Sequence, residues 1–233
     1  MGCIYCQNAE IRDGKVGRKI SVERLSEIFF ELKEKGANNI NLVTPTHFVP
    51  HIIKALDIAK SKSLNIPTVY NTSGYEKVET LKMLDGYVDI YLPDLKYADA
   101  ALAKALSGAA DYFPVATEAI REMVRRTGPV RWQGDKVVGG TIIRHLILPG
   151  HVENSLKVLD WIGETFAPGQ VLVSLMRQYT PMPGMLPPFD RPVTEEEYQS
   201  VLSWMFLNDL EGFTQEESAA KAEYIPNFDL TGV

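Results

Sequence analysis

Short β-rich segments alternate with amphipathic helical segments along this chain at intervals of about 30 residues. Parallel strands need crossover connections, which are usually helices, so the alternation predicts βαβ units and a parallel sheet. The predicted strands span residues 39–44, 67–72, 87–95, 141–148 and 171–176. A closed eightfold barrel usually needs eight such units and about 250 residues. Five strands in 233 residues therefore predict an α/β fold that is either a partial barrel or an open doubly wound sheet.

Helical periodicity accounts for most of the sequence between the strands. Apolar residues recur at helical spacing after Ser21, and Gly36 follows the last turn of that helix. Further helices are predicted over residues 47–61, 76–84, 98–106, 114–126 and 152–166. A loop rich in proline and glycine, residues 181–192, precedes a last helix that begins at Thr194. No repeat or linker divides the sequence, so we expect one domain over residues 1–233, in which residues 181–233 form a C-terminal loop, helix and tail.

Charge and hydropathy exclude several classes of partner. The sequence has 24 Lys and Arg against 30 Asp and Glu, a net charge of -6, which disfavours binding to nucleic acid. No apolar stretch approaches the roughly 20 residues of a membrane span, and the first residues lack the cationic and apolar regions of a signal peptide. We therefore expect a cytoplasmic protein that binds neither nucleic acid nor membrane.

The two cysteines of the sequence, Cys3 and Cys6, are separated by two residues at the start of the chain. They are too few for a secreted disulfide framework, so they are expected to be metal ligands or redox thiols. By spacing alone they fit half of a zinc site, a thioredoxin-like dithiol or part of an iron–sulfur site. The dithiol is disfavoured because no strand precedes the pair.

Charged side chains mark the carboxyl ends of two predicted strands, where ligands bind in parallel α/β folds. Asp94 and Lys96 share one face of their strand, and the alternative to a functional site is a plain ion pair. Arg144 and His145 are consecutive and must face opposite sides, and strand parity selects Arg144 as the inward residue. An inward arginine implies an acidic partner or an anionic ligand, whereas His145 is expected to be packed or half-exposed.

Two other patterns are weaker. Residues 71–74 (NTSG) follow the second predicted strand and are suited either to a turn or to hydrogen bonding with a ligand. His47 and His51 have the separation of two metal ligands on a helix, but the glutamate of a metalloprotease motif is absent because position 48 is Phe48.

Several segments together resemble the radical S-adenosylmethionine enzymes, specifically the proteins related to pyruvate formate-lyase activating enzyme. The segments that carry the resemblance are residues 2–8 (GCIYCQN), 71–75 (NTSGY), 94–96 (DLK), 148–150 (LPG) with Arg144, and 224–229 (YIPNFD). The first resembles the end of that family's Cys-x3-Cys-x2-Cys cluster loop, with Tyr5 before the last cysteine. The second and third resemble its Thr-Asn-Gly strand end and its Asp-Leu-Lys, and the last resembles the tail of an uncharacterised activase-like branch.

The resemblance implies a partial (β/α)6 barrel, similar to a TIM barrel, with S-adenosylmethionine bound across its C-terminal mouth. In that family three thiolates hold a [4Fe-4S] cluster, and its open iron binds the amino and carboxylate groups of S-adenosylmethionine. The reduced cluster then cleaves the cofactor to a 5'-deoxyadenosyl radical. Cys3 and Cys6 would be two of the ligands, residues 1–8 would be a remnant of the cluster-binding loop, and the first strand of the barrel would be missing.

Two departures from the family's pattern concern its ligands. The first cysteine of the motif would fall four residues before Cys3, ahead of Met1, which indicates a truncated reading frame, a misplaced start or an imposed boundary. The Gly-Gly-Glu segment that binds the cofactor's amino group is replaced by residues 43–47 (VTPTH), where Thr44 offers a hydroxyl and a carbonyl.

The family's pattern assigns roles at the mouth without identifying a catalytic residue. Lys96 would meet the carboxylate of S-adenosylmethionine. Asp94, or the residue at 71 or 72, would meet its polar groups or a nearby cation, and Tyr5 would lie beside the adenine. The candidate cofactor-binding residues are Tyr5, Thr44, Asn71, Thr72, Asp94, Lys96 and Arg144.

These residues support three hypotheses. The first is a radical S-adenosylmethionine enzyme, with a glycyl-radical protein as its substrate and a flavodoxin or ferredoxin as its electron donor. The second is a catalytically incomplete fragment without a stable cluster, whose open sheet edge promotes self-association. The third is a Schiff-base lyase that uses Lys96, which is disfavoured because the neighbouring Asp94 favours the unreactive ammonium form.

Overall fold

A computed structural model describes residues 1–215 of the chain, so the resemblance at residues 224–229 lies outside the described residues. The strands are β1 (Ile40–Val43), β2 (Thr68–Thr72), β3 (Ile90–Pro93), β4 (Arg131–Gln133), β5 (Lys136–Leu146), β6 (Val171–Met176) and β7 (Gly212–Phe213). The helices are α1 (Ala9–Arg12), α2 (Val22–Glu34), α3 (Val49–Ser61), α4 (Val78–Met83), α5 (Ala100–Ser107), α6 (Tyr112–Thr127), α7 (Val152–Thr165) and α8 (Glu195–Leu207). A 3-10 turn at Thr46–Phe48 precedes α3.

The main sheet is parallel throughout, in the order β1-β2-β3-β5-β6-β7. Each strand lies beside the one before it, which is the order of a barrel rather than of a doubly wound sheet, where the order reverses. The α/β fold with parallel strands is therefore confirmed. Residues 1–39 contain no strand, so the described sheet begins at the edge strand β1.

The helices cover one side of this sheet, and the other side lines the interior of the partial barrel. Tyr70 of β2 and Tyr91 of β3 are fully buried and pack against Leu81 and Leu84 of the α4 region. Ile143 of β5 lies in the cluster of buried residues that includes the apolar face of α7. The interior-facing residues of β5 alternate with these and are only partly buried, as strand parity requires.

Local capping explains where two of the predicted helices begin. The Ser21 hydroxyl accepts a hydrogen bond from Arg24 N at 3.1 Å, which fixes the start of α2. Thr194 and Glu197 form a reciprocal capping box at the start of α8. The loop between residues 181 and 192 contains no helix or strand, as predicted.

The structure adds elements that the periodicity did not predict, namely α1, β4 and β7. β4 and β5 form an antiparallel hairpin in which Gln133 pairs with Lys136 across the turn residues Gly134 and Asp135. Gly134 has a φ of 63°, a conformation that favours glycine, and Gly-Asp between two strands is a recognised hairpin signal. β5 therefore begins at residue 136 rather than at residue 141.

Within residues 1–215, no helix is both long enough and apolar enough to cross a membrane.

Candidate cofactor site

Asp94, Lys96 and Arg144 form an ion cluster at the carboxyl ends of β3 and β5. The Asp94 carboxylate lies 2.6 Å from Arg144 Nη2 and also contacts Lys96 Nζ. Asp94 and Arg144 are bridge partners across the two strands, and Leu95 N donates to Arg144 O at 2.8 Å. Arg144 thus has the acidic partner that its inward position predicts.

The ion cluster keeps a net positive charge because two cations share one carboxylate. Burial by itself would raise the pKa of Asp94, but the charges of Lys96 and Arg144 outweigh it and hold that pKa below its usual value. Asp94 is therefore ionised at neutral pH. The remaining positive charge suits an anionic ligand group such as a carboxylate.

Asn71 and Thr72 end on opposite sides of β2. Asn71 pairs in register with Leu92 of β3. Leu92 and Asp94, which directly follows that strand, are two residues apart, so both face the interior, and Asn71 faces it too. Thr72 faces the helices, and its hydroxyl donates to Glu76 Oε1 at 2.5 Å. The structure therefore brings Asn71 to the side of the sheet that holds the ion cluster, whereas the Thr72 hydroxyl is engaged behind it.

A close backbone approach joins the ends of β2 and β3. Gly74 has a φ of 78°, and a Cβ placed there would lie 2.1 Å from Asp94 O, so this position requires glycine. The hydroxyl of the fully buried Tyr112 lies 2.8 Å from both Ser73 O and Asp94 O, and it accepts from Lys96 N at 3.1 Å. Tyr112 thereby holds both strand ends in place.

The first eight residues, which we call the cysteine loop, lie at the same end of the sheet. Ser107 Oγ, at the end of α5, donates to Cys3 Sγ at 3.0 Å and lies 2.6 Å from the hydroxyl of Tyr97. The Tyr97 hydroxyl also hydrogen-bonds to that of Tyr5. Burial raises the pKa of both phenols, so they stay protonated and can donate these bonds. Cys6 N donates to Cys3 O at 3.2 Å, which places both partly buried thiols within one turn.

Further contacts attach the cysteine loop to the protein. Ile4 N donates to Leu106 O at 2.9 Å, and Arg12 Nη1 donates to Cys3 O at 2.7 Å. The ring of Tyr5 is buried, and its centroid lies 5.8 Å from that of Tyr179, which follows β6. Tyr5 therefore packs between the loops that follow β3 and β6.

Thr44 is exposed directly after β1 and has a positive φ of 50°. This left-handed conformation is uncommon for a residue other than glycine and costs roughly 1–2 kcal/mol. Thr44 N donates to Asn71 O at 2.7 Å, so the turn lies beside the end of β2.

The histidines have different surroundings. His145 is fully buried as a packed residue, with Nδ1 2.7 Å from Leu95 O and Nε2 2.8 Å from Ser155 Oγ. Burial lowers the pKa of His145 to about 4, so its ring is neutral at pH 7. His47 and His51 are both exposed.

Among residues 1–215, no group of three or more His, Cys, Asp and Glu side chains is placed to hold a metal ion.

Sequence reasoning missed the residues that support the site from behind. These supporting residues are Glu76, Tyr97, Ser107 and Tyr112. None belongs to a charged or metal-ligating motif. The nearest sequence signal is that Tyr97 directly follows the Asp-Leu-Lys segment and that Glu76 follows the polar segment 71–74.

Comparison with known protein families gives a match over residues 1–162, more than half of the chain, to the Radical SAM superfamily. The chain belongs to the Radical SAM superfamily. Among curated proteins, an uncharacterised protein of Methanocaldococcus jannaschii is 28% identical over 212 residues, which cover 86% of this chain and 57% of that protein. This radical SAM chain thus spans less than two thirds of the length of that relative.

Solved structures confirm the partial-barrel fold. A domain of pyruvate-formate lyase-activating enzyme from Bacteroides vulgatus has a TM-score of 0.54 at 12% identity, covering 76% of this chain and 98% of that domain. Streptococcus suis SuiB bound to S-adenosylmethionine has a TM-score of 0.58 at 13% identity, covering 93% of this chain and 44% of SuiB. Coproporphyrinogen III oxidase of Escherichia coli, a radical SAM enzyme, has a TM-score of 0.53 at 11% identity, covering 89% of this chain and 50% of the oxidase.

Membership of this superfamily implies S-adenosylmethionine and an iron–sulfur cluster. The soft, partly buried thiols of Cys3 and Cys6 suit two corners of such a cluster. The sequence contains no third cysteine, so one copy of this chain does not complete a three-thiolate site. The residual positive charge of the ion cluster suits the carboxylate of S-adenosylmethionine.

Proposed function

We propose that this chain is the cofactor-binding barrel of a radical SAM enzyme that cleaves S-adenosylmethionine reductively to a 5'-deoxyadenosyl radical. The observation that carries the proposal is the juxtaposition of the cysteine loop and the ion cluster. Tyr97 directly follows Lys96, and its hydroxyl bonds to Tyr5 and to Ser107, which in turn donates to Cys3. Candidate ligands for metal and for cofactor therefore lie on one continuous set of contacts.

In this proposal the residues of the mouth bind and orient the cofactor. Lys96 and Arg144 attract its carboxylate, and Asp94 offsets the repulsion between the two cations and orients them. Asn71 and Thr44 offer polar groups at the ends of β2 and β1. The family's pattern would place Tyr5 beside the adenine, with its ring packed against Tyr179 and its hydroxyl bound to Tyr97.

Cys3 and Cys6 would hold a [4Fe-4S] cluster together with a third cysteine, which the family's motif places four residues before Cys3. Such a cluster supplies the electron that breaks the sulfonium bond of S-adenosylmethionine. A glycyl-radical protein as radical acceptor, a flavodoxin or ferredoxin as electron donor, and a cytoplasmic location complete the proposal.

The test is anaerobic reconstitution with iron and sulfide, followed by measurement of iron per chain and of 5'-deoxyadenosine formed with dithionite. A chain extended to include a cysteine four residues before Cys3 should bind about four irons and form 5'-deoxyadenosine. Cys6→Ala in the same extended chain should lose both. If the extended chain stays colourless and forms no 5'-deoxyadenosine, the proposal is wrong.

An inactive fragment is the second candidate, and the presence of only two cysteines favours it. It predicts that the chain from Met1 retains no iron after reconstitution. A Schiff-base lyase gains no support, because Lys96 Nζ is engaged by the Asp94 carboxylate and is not free to attack a carbonyl. Borohydride trapping with a carbonyl compound should therefore leave Lys96 unmodified.

A further inference from the structure

Glu76 is a buried carboxylate behind the proposed cofactor site. Its side chain is 3% exposed, and Oε1 accepts hydrogen bonds from Thr46 Oγ1 at 2.6 Å and from Thr72 Oγ1 at 2.5 Å. The Tyr70 hydroxyl donates to the same oxygen at 3.4 Å. Burial, with the nearby charge of Glu76, raises the pKa of Tyr70, so the phenol keeps its proton. Three hydroxyls thus converge on one oxygen atom, one from the 3-10 turn after β1 and two from β2.

These bonds clamp the turn that contains Thr44 at both of its ends. Thr44 N donates to Asn71 O at 2.7 Å, and two residues later the Thr46 hydroxyl bonds to Glu76. Both attachment points belong to the segment that runs from the end of β2 toward α4. The turn after β1 is therefore fixed against the neighbouring strand β2 and the segment that follows it.

A clamp is needed here because Thr44 is in the left-handed conformation, with a φ of 50°. A threonine left unrestrained relaxes to negative φ, since its Cβ crowds the backbone at positive φ. That relaxation rotates the backbone at residue 44 and moves the Thr44 carbonyl and hydroxyl at the mouth. The surrounding hydrogen bonds hold the strained conformation in place.

The Glu76 carboxylate is also connected to the ion cluster indirectly, through Thr72 and Gly74. The Thr72 hydroxyl that donates to Glu76 accepts from Gly74 N at 3.3 Å. Gly74 makes the close approach to Asp94 O described above. One buried oxygen thereby connects the turn after β1 with the segments after β2 and β3.

We propose that Glu76 is a positioning residue for S-adenosylmethionine: through the Thr46 and Thr72 hydroxyls it holds Thr44 in the left-handed conformation that presents its polar groups to the cofactor. The proposal rests on the proposed function, because it takes S-adenosylmethionine as the ligand of this mouth. It predicts that the hydrogen bond between Thr46 and Glu76 affects the affinity for S-adenosylmethionine only when residue 44 is strained at positive φ.

A double-mutant cycle tests this dependence. Thr46→Val removes the hydroxyl with little change of shape, and it should raise the dissociation constant for S-adenosylmethionine about tenfold in the reconstituted protein, as loss of a bond to a charged group does. In a Thr44→Gly background, where positive φ costs nothing, the same change should have an effect of less than about threefold. Thr46→Ser, which keeps the hydroxyl, should bind like the parent protein.

Ser63→Gly is the matched control, because Ser63 also has a positive φ, of 63°, and lies just beyond α3, away from the mouth. It should relieve strain as Thr44→Gly does, yet leave the tenfold effect of Thr46→Val intact. If Thr46→Val has the same effect in all three backgrounds, its role is merely structural and the proposal is wrong.

Amide exchange supplies a second measurement that needs no cofactor. Thr46→Val and Glu76→Gln should each speed exchange of the Thr44 amide about tenfold, while the Ile40 amide, bonded to Pro67 O at the other end of β1, should be unaffected. Unchanged Thr44 exchange would overturn the clamp. A different outcome separates the two proposals. If the variants exchange the Thr44 amide faster but the parent protein does not bind S-adenosylmethionine, the clamp exists, whereas the cofactor assignment and the role of Glu76 toward the cofactor are wrong.

Discussion

The ion cluster and the cysteine loop lie at the same end of the sheet, but they are held there in different ways. The ion cluster is built on β3 and β5, whose register places Asp94 beside Arg144. The cysteine loop belongs to no strand, and the hydrogen bonds of Tyr5 and Cys3 attach it to Tyr97 and Ser107. The first region can change only if the sheet changes, whereas the second can open locally.

This difference indicates how the two halves of the site respond to perturbation. Damage to the ion cluster should lower the stability of the whole domain. Damage to the cysteine loop should expose its thiols while the sheet remains intact. Three changes test this distinction, and their expected effects decrease from the first to the third.

Asp94→Ala should have the largest effect, because it leaves Lys96 and Arg144 facing each other without their shared carboxylate. Breaking a buried ion pair from one side costs about 3–5 kcal/mol. Urea denaturation should show this loss in the free energy of unfolding. Asp13→Asn is the control, since Asp13 pairs with Arg12 at 2.7 Å on the surface beside the cysteine loop, and it should leave the denaturation midpoint unchanged. If Asp94→Ala and Asp13→Asn lowered the free energy of unfolding equally, the ion cluster would not differ from the cysteine loop in its effect on stability.

Mild acid should weaken the region around the ion cluster through His145, whose Nδ1 contacts Leu95 O between Asp94 and Lys96. Burial lowers its pKa to about 4, against about 6.5 in an unfolded chain. The unfolded state therefore takes up a proton first as the pH falls, and stability is lost between about pH 6.5 and pH 4.

The slope of that loss should approach about 1.4 kcal/mol per pH unit. Urea denaturation across this pH range measures the slope. His145→Asn should flatten it, whereas His51→Asn, a change at an exposed histidine, should not. An unchanged slope in His145→Asn would show that other groups cause the acid sensitivity.

Tyr5→Phe should have the smallest effect on stability, less than about 1 kcal/mol, because one hydroxyl bond to Tyr97 is lost from a loop outside the sheet. The loop should open more often, so alkylation of Cys3 and Cys6 by iodoacetamide should accelerate about fivefold. Tyr87→Phe, which removes a phenol bonded to Asp57 at 2.9 Å elsewhere, is the matched control. A large loss of stability in Tyr5→Phe without faster alkylation would show that the loop is part of the core.

The sequence predicted the ion cluster better than the rest of the site because period-two alternation determines which strand residues share a face. The same rule, applied to β2, separates Asn71 from Thr72, although both were candidates for the cofactor. The hairpin of β4 and β5 was missed even though Gly134 and Asp135 supplied a turn signal.

Sequence alone determined the alternation of strands and helices, the inward positions of Asp94 and Arg144, and the resemblance that the match to the Radical SAM superfamily confirmed. Tertiary structure decided the order of the strands, the attachment of Cys3 to Ser107 and the convergence of Thr46 and Thr72 on Glu76. The physical reason is the separation along the chain of the residues that interact. Faces and caps depend on neighbours within a few residues, whereas Cys3 and Ser107 are 104 positions apart and meet only after the three intervening strands and their helices have packed.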